Sequence, residues 1–236
     1  MSTIIQRYEN FDVPSVVFSK LKKNKNGGKT VYINAPANKK MYLQLPFLRS
    51  PFGLSAFTDE ATNKTSYSLD LSFDKDNDAA MELMEKLNAL DTRIIETVAE
   101  NSKEWLGKPY NIDVIREALY KPIVRPGKEE YASTLKLKLM TKPDGTFLAE
   151  AYDMSQKSMP VDSIEKGQKC MCIVDINQIW FIDNKFGVSV RLSQVLCEQS
   201  TKLPSFAFQG VEGVASAAGD AGSDEDEDEE DCEIDE

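Results

Sequence analysis

Residues 66–73 read SYSLDLSF and residues 78–100 read DAAMELMEKLNALDTRIIETVAE, and the change of pattern between these segments decides the fold class. In the first segment apolar and polar residues alternate, which predicts a β-strand with one exposed face. In the second, apolar residues recur every three or four positions, which predicts a long amphipathic helix capped by Asp76 or Asn77. The apolar stripe consists of Leu83, Leu87, Leu90, Ile94 and Val98.

Further strands are predicted on both sides of this helix. The β-rich runs are 16–21, 30–33, 40–47, 133–139, 146–152, 169–175, 179–182 and 186–197. A second helix is predicted over 112–120, with Asn111 as its cap and Pro122 as its end, and Trp105 is expected to pack the two helices against the sheet. Strands around a helical insertion favour a mostly β (α+β) fold, an OB-like small barrel with helices between its strands.

The C-terminal segment has a different composition. Residues 210–222 are rich in Gly, Ala and Ser, which is typical of a flexible linker. Residues 216–236 contain no Lys or Arg, so the formal net charge of −11 belongs mainly to this segment. A dense acidic run cannot collapse on itself and predicts disorder. We therefore predict an OB-type domain over 1–208 and a linker with a disordered acidic tail over 209–236. The acidic run is Asp224, Glu225, Asp226, Glu227, Asp228, Glu229, Glu230 and Asp231.

No enzymatic or cofactor site is predicted. The chain has no histidine, the commonest general base and metal ligand, and no motif that pairs a nucleophile with a base. Cys170 and Cys172 are separated by one residue where zinc knuckles use two to four, so core packing is the better interpretation. The stretch 27–30 reads GGKT like the end of a P-loop, but Lys23 replaces the first glycine and Pro36 stands where a helix should begin. We expect neither metal nor cofactor.

The expected environment is intracellular. No apolar run is long enough to cross a bilayer and no secretion leader is visible, so we expect a soluble protein without membrane contact. Four cysteines, one of them in the acidic tail, make a poor disulfide framework for a chain of this length. This pattern suits a reducing compartment.

Several predicted outward positions combine cations with aromatic rings. Cations neutralise a nucleic-acid backbone and rings stack on its bases, so such a surface favours single-stranded DNA, whereas the alternative is a solvated sheet face. Trp180 and Phe181 are adjacent in a strand and must point to opposite faces, so either one can serve as the stacking platform or cap the barrel. The candidate contacts on the sheet faces are Lys136, Lys138, Arg191, Lys40, Tyr42 and Trp180. Residues 26–28 predict a hairpin turn within a basic segment, where the alternatives are contact with a polyanion and a solvated tip. The candidate contacts in this hairpin are Lys22, Lys23, Lys25 and Lys29.

Taken in order, several segments resemble the OB-fold single-stranded DNA-binding proteins of nucleocytoplasmic large DNA viruses, which are similar to the replication protein of short-tailed phages. The resemblance covers nearly the whole domain, from about residue 16 to residue 197. It rests on the following segments: LQLP at 43–46, PFGL at 51–54, LD at 90–91, WLGK at 105–108, YASTLKLKL at 131–139, IWF at 179–181 and KFGV at 185–188.

The resemblance implies a protein that coats single strands during viral DNA replication or recombination. The charge of the acidic tail favours competition with DNA for the basic groove over a role as a solubility tag. The resemblance further implies that the tail recruits DNA polymerase or other replication proteins, in the host cytoplasm or nucleus. Packaging in the virion and homodimer formation stay open. The phage proteins end in an aromatic residue used in tail docking, whereas this chain ends Ile234-Asp235-Glu236, so recruitment through the last residue does not carry over. The alternative is an acidic-tailed chaperone or packaging protein that binds basic proteins.

Overall fold

The computed structural model describes residues 5–23, 27–199 and 207–209 of a mostly β chain with a helical segment. Within residues 5–199, the described residues form one compact unit. Lys25 and the acidic run 224–231 lie outside the described residues. The boundary after residue 208 and the disorder of the tail therefore stay predictions.

Fifteen strands are assigned in the described residues. They are β1 Ile5–Arg7, β2 Val17–Phe18, β3 Lys22–Lys23, β4 Lys29–Ala35, β5 Lys39–Lys40, β6 Tyr42–Arg49, β7 Leu54–Asp59, β8 Lys64–Ser72, β9 Tyr120–Lys121, β10 Val124–Arg125, β11 Thr134–Leu139, β12 Glu150–Asp153, β13 Ser158–Met159, β14 Lys169–Ile182 and β15 Lys185–Cys197. The helices are α1 Asp78–Glu100, α2 Ser102–Trp105 and α3 Ile112–Val114. A wider helical turn, Ile115–Leu119, continues α3.

Five strands close into a barrel. β6 pairs with β8, β8 with β11, β11 with β15, and β15 with β14, which returns to β6. All of these pairs are antiparallel except β11 with β15. A five-stranded barrel of this connectivity is the predicted OB-type fold, and the helices lie between its second and third strands. In the described residues no helix combines the length and apolar character needed to span a bilayer.

Strands β14 and β15 extend beyond the barrel as a long hairpin. The distal part of β14 pairs with β4, which in turn pairs with β3. The two runs predicted at 169–175 and 179–182 are one strand, because a bulge at Asn177 changes the register without breaking the ladder. The run predicted at 16–21 is strand only at Val17–Phe18, and the run predicted at 146–152 begins only at Glu150.

Helix α1 supplies one wall of the core. Its predicted stripe is buried, and Asn77 caps the first turn by accepting a hydrogen bond from the Ala80 backbone N–H. Asn111 caps α3 as predicted. The second helix ends at Leu119 instead of residue 120, because Tyr120 pairs with Phe186 in β15 and packs its ring on that side chain. Tertiary contacts thus override the local helical preference at this position.

The core also contains the residues that sequence reasoning placed there. Cys170 and Cys172 are fully buried, which confirms the core-packing interpretation. Cys197 lies opposite Cys170, with the two sulfur atoms 3.6 Å apart. Trp105 is buried and contacts Phe181 edge to face, so it joins the helical segment to the sheet as expected.

A buried carboxylate holds the segment that follows the helices. Asp91 of α1 accepts hydrogen bonds from the Tyr120 hydroxyl and the Ile123 backbone N–H. Burial raises the pKa of Asp91 to about 7, although both hydrogen bonds favour the ionised form. These contacts hold the chain on both sides of Lys121 and so fix the Lys121 backbone. The helix therefore positions a cation on the outer surface of the sheet.

Candidate nucleic-acid interface

A wide groove crosses the barrel on the outer face of β8 and β11. Its floor includes Ser68, Asp70, Lys136 and Lys138. One wall is formed by β7, which lies in the connection between the first two barrel strands, and the other by the β14–β15 hairpin together with residues 121–126. The groove has a volume of about 1230 Å³. In OB folds this face and these two connections bind oligonucleotides and oligosaccharides.

Among the residues that the structure describes, four cations line the groove. They are Lys121, Arg125, Lys136 and Lys138. The Lys138 side chain is exposed but stands in a concave surface, and reduced hydration there lowers the pKa of its ammonium. Repulsion from Arg191, Lys136 and Arg125 lowers the pKa of Lys138 further. A bound polyanion would relieve this repulsion, so the cluster is suited to phosphate groups.

One carboxylate lies among these cations. Asp70 is opposite Lys136 in the β8–β11 register and is partly buried in the groove floor. Burial raises the pKa of Asp70, while Lys136 and Arg125 lower it by a smaller amount. Even with this charge, the described residues that line the groove keep an excess of positive groups.

An aromatic platform forms the hairpin wall. Trp180 lies opposite Gly187, and a Cβ atom added at Gly187 would come within 2.8 Å of the indole Cζ2 atom. The absence of a side chain at Gly187 therefore lets the indole lie against the backbone of β15. The Lys121 ammonium is 5.9 Å from the indole centroid, within cation–π range. This arrangement provides a supported ring beside a cation.

Family comparison places the chain in a group without an assigned role. The model described as "Family of unknown function (DUF5871)" matches residues 67–209. The chain belongs to this family. The matched part of this DUF5871 member includes the barrel strands β11, β14 and β15, and with them the cations and the indole of the groove. No curated protein matches the sequence.

Solved structures of two phage proteins are similar to this DUF5871 member in fold. The single-stranded DNA-binding protein gp2.5 of bacteriophage T7 is similar at 14% identity and a TM-score of 0.45, covering 72% of this chain and 98% of that chain. The single-stranded DNA-binding protein of bacteriophage Enc34, in complex with single-stranded DNA, has 14% identity and a TM-score of 0.39. That comparison covers 78% of this chain and 97% of the phage chain.

The groove of the DUF5871 member contains three of the residues predicted from sequence. Lys136, Lys138 and Trp180 all line it. Trp180 is half-exposed on the outer face, whereas Phe181 is buried against Phe186. Of the two adjacent rings, Trp180 is therefore the one outside the core, and it lies beside the cations.

The predicted hairpin lysines are divided between two faces of the sheet. Lys22 is opposite Thr30, which is itself opposite Trp180, so Lys22 lies on the Trp180 face. Lys23 and Lys29 are paired on the other face. The Lys29 ammonium donates a hydrogen bond to the Trp105 backbone carbonyl, 3.1 Å away, so it links the sheet to α2.

The remaining described residues of the prediction line a separate, smaller depression of about 430 Å³. Lys40, Tyr42 and Arg191 lie there, and the Lys40 ammonium is 3.5 Å from the Asp175 carboxylate. Hydrogen bonding to Tyr42 raises the pKa of Lys40, with a smaller contribution from Asp175. Arg191 is nevertheless opposite Lys138 in the β11–β15 register, so this depression adjoins the groove.

Sequence reasoning missed several groove residues. Lys121 and Arg125 lie in β9 and β10, which are two residues long, too short for a periodic pattern to indicate their direction. Phe57 on β7 and Ile182 at the end of β14 are exposed by 68% and 61%, unusually high for large apolar side chains. Their exposure can be recognised only once the hairpins are in place.

Proposed function

We propose that this chain binds single-stranded DNA along the groove. The observation that carries the proposal is that four cations and the supported Trp180 indole line the same OB face. The cations would neutralise backbone phosphates, while the indole would stack on a base. The chain would act by binding, without catalysis.

The dimensions and chemistry of the groove favour a single strand over other ligands. Its volume of about 1230 Å³ exceeds the roughly 300–1,000 Å³ typical of small-molecule pockets. An oligosaccharide would leave the four cations without counterions. In a duplex the bases are already stacked on each other, so neither Trp180 nor the exposed Phe57 would have a base face to contact.

The proposal is tested by titrating the full chain with fluorescent oligo-dT, a duplex of equal length, a single-stranded RNA of equal length and core histones. We expect oligo-dT to bind at least tenfold more tightly than the duplex at low salt. Tight binding of histones without oligo-dT binding would support the acidic-tailed chaperone and refute the groove proposal. Preference for RNA over DNA would keep the groove as the site and correct the ligand.

The cellular role follows from the same proposal. A protein that coats single strands protects them while they are copied or recombined, and the sequence resemblance suggests viral replication in the host cytoplasm or nucleus. The acidic run 224–231 would compete with DNA for the cations of the groove and would recruit basic partners such as a polymerase. A tethered polyanion acts at an effective concentration in the millimolar range, so weak contacts suffice.

Removing 216–236 should therefore tighten oligo-dT binding. If the tail occupies the groove half of the time, its removal gives about a twofold gain in affinity, and stronger occupancy gives more. The gain should be largest at low salt, where screening is weakest. The measurement is the oligo-dT titration repeated with the shortened chain.

A matched control keeps the tail length and removes only its charge. All twelve acidic residues of 216–236 are replaced by Asn and Gln, and this variant should bind as tightly as the shortened chain. Equal affinity of the full and shortened chains at low salt would contradict the competitor role. Loss of all nucleic-acid binding on tail removal would contradict the groove itself.

A further inference from the structure

The outer surface that carries Trp180 does not end at the barrel. Along the β14–β4 pair, Trp180 is opposite Thr30 and Gln178 is opposite Tyr32. Residues directly opposite each other in an antiparallel pair share a face of the sheet. Tyr32 therefore lies on the same face as Trp180, one strand farther from the groove.

Tyr32 repeats the chemistry of the Trp180 platform. Its side chain is partly exposed, and the Lys22 ammonium lies 4.8 Å from the centroid of its ring. Lys22 is exposed, so its flexible side chain can leave the ring when a base stacks there. The two residues line a second depression, which also includes Lys20 and Asn34.

The strand positions of Trp180 and Tyr32 suit consecutive nucleotides. Because Trp180 is opposite Thr30, Tyr32 is its diagonal neighbour on the adjacent strand. Diagonal neighbours in an antiparallel pair lie about 7–8 Å apart. A strand that stacks one base on Trp180 can therefore place the next on Tyr32 without leaving the sheet.

We propose that Tyr32 and Lys22 form a second nucleotide subsite, in which a base stacks on the Tyr32 ring and a phosphate contacts the Lys22 ammonium. This subsite extends the groove across β14 onto β4, and it rests on the proposed single-stranded DNA binding. It assigns a path to the bound strand, which would run from the floor of β8 and β11, past Trp180, toward the β3–β4 hairpin. A cation–π pair that only stabilises that hairpin is the competing explanation.

The test is the dependence of the Tyr32→Ala effect on oligonucleotide length. OB domains cover about 4–16 nucleotides, so oligo-dT of about 4 and about 16 nucleotides are compared. The short oligonucleotide should bind parent and variant equally, since it fits within the groove. The long one should bind the variant about tenfold more weakly, as expected for the loss of one stacked base.

Two further variants separate stacking from folding. Tyr32→Phe keeps the ring and should retain parental affinity, whereas Tyr32→Leu keeps apolar volume without a ring and should behave like Tyr32→Ala. Thermal unfolding followed by circular dichroism checks that each variant is folded, and Tyr32→Leu replaces Tyr32→Ala if the latter is not. Parental affinity of the leucine variant for the long oligonucleotide, or an equal loss at both lengths, would overturn the subsite. If the parent binds no oligonucleotide, the groove proposal fails as well.

Discussion

Replacing Lys136 and Lys138 together with glutamate should weaken oligo-dT binding by on the order of 100-fold at low salt. Each lysine would lose one charge-assisted contact of at least about 1.5 kcal/mol, and the new carboxylates would repel the backbone. Both side chains lie on the groove floor, where repulsion among the cations already lowers the pKa of Lys138. The affinity is measured by fluorescence anisotropy.

Salt dependence gives the same variant a second readout. For single strands, log K falls with log salt by about 0.7 for each phosphate neutralised, so loss of two contacts should reduce the slope by about 1.4. The control is Lys157→Glu with Lys166→Glu, which makes the same change in net charge at exposed lysines outside the groove lining. If both double variants lose the same amount of oligo-dT affinity, net charge, and not the groove, governs binding.

The alternation of apolar and polar residues along β11 was sufficient to predict the outward direction of Lys136 and Lys138. Strand β11 alternates without interruption, and its apolar positions Leu135, Leu137 and Leu139 are all buried. When one face of a strand is buried, a shift of one residue would expose the whole apolar set, so the direction of each side chain is strongly determined. The same argument explains why the stripe of α1 was predicted correctly.

The other groove residues depend on contacts between distant parts of the chain. Lys121 reaches the groove because its neighbour Tyr120 is held in place. Tyr120 pairs with Phe186, and the Tyr120 hydroxyl donates a hydrogen bond to Asp91. No local sequence pattern connects these three residues. Strand β7 was missed because both of its faces are largely exposed, which removes the alternation that marks a strand.

The hairpin lysines show a different kind of error. Lys22, Lys23 and Lys29 were grouped because they are close in sequence and share a charge. In the structure, Lys22 faces the side of Trp180, while Lys29 faces Trp105. Charge density indicated a polyanion site, but only strand register determines which members of the cluster share a surface.

The support under the indole can be tested separately from the indole itself. In Gly187→Ala the new Cβ would lie 2.8 Å from the Trp180 ring and 3.1 Å from the Lys121 backbone carbonyl, so the ring must shift. We expect this variant to weaken oligo-dT binding by a few-fold while all groove charges remain. Unchanged affinity would show that the contact of the Trp180 ring with the backbone of β15 does not matter for binding.

Removal of the Trp180 ring should produce the largest effect of any single apolar substitution in the groove. Trp180→Ala should weaken oligo-dT binding by about 5- to 100-fold, the range expected for the loss of one stacked base. Tryptophan emission provides an independent readout, because the only other tryptophan, Trp105, is buried against Phe181. Titration with oligo-dT should quench the emission of the parent, and Trp180→Phe should abolish the quenching while retaining part of the affinity. A folded Trp180→Ala variant that binds with parental affinity would exclude Trp180 as the stacking platform.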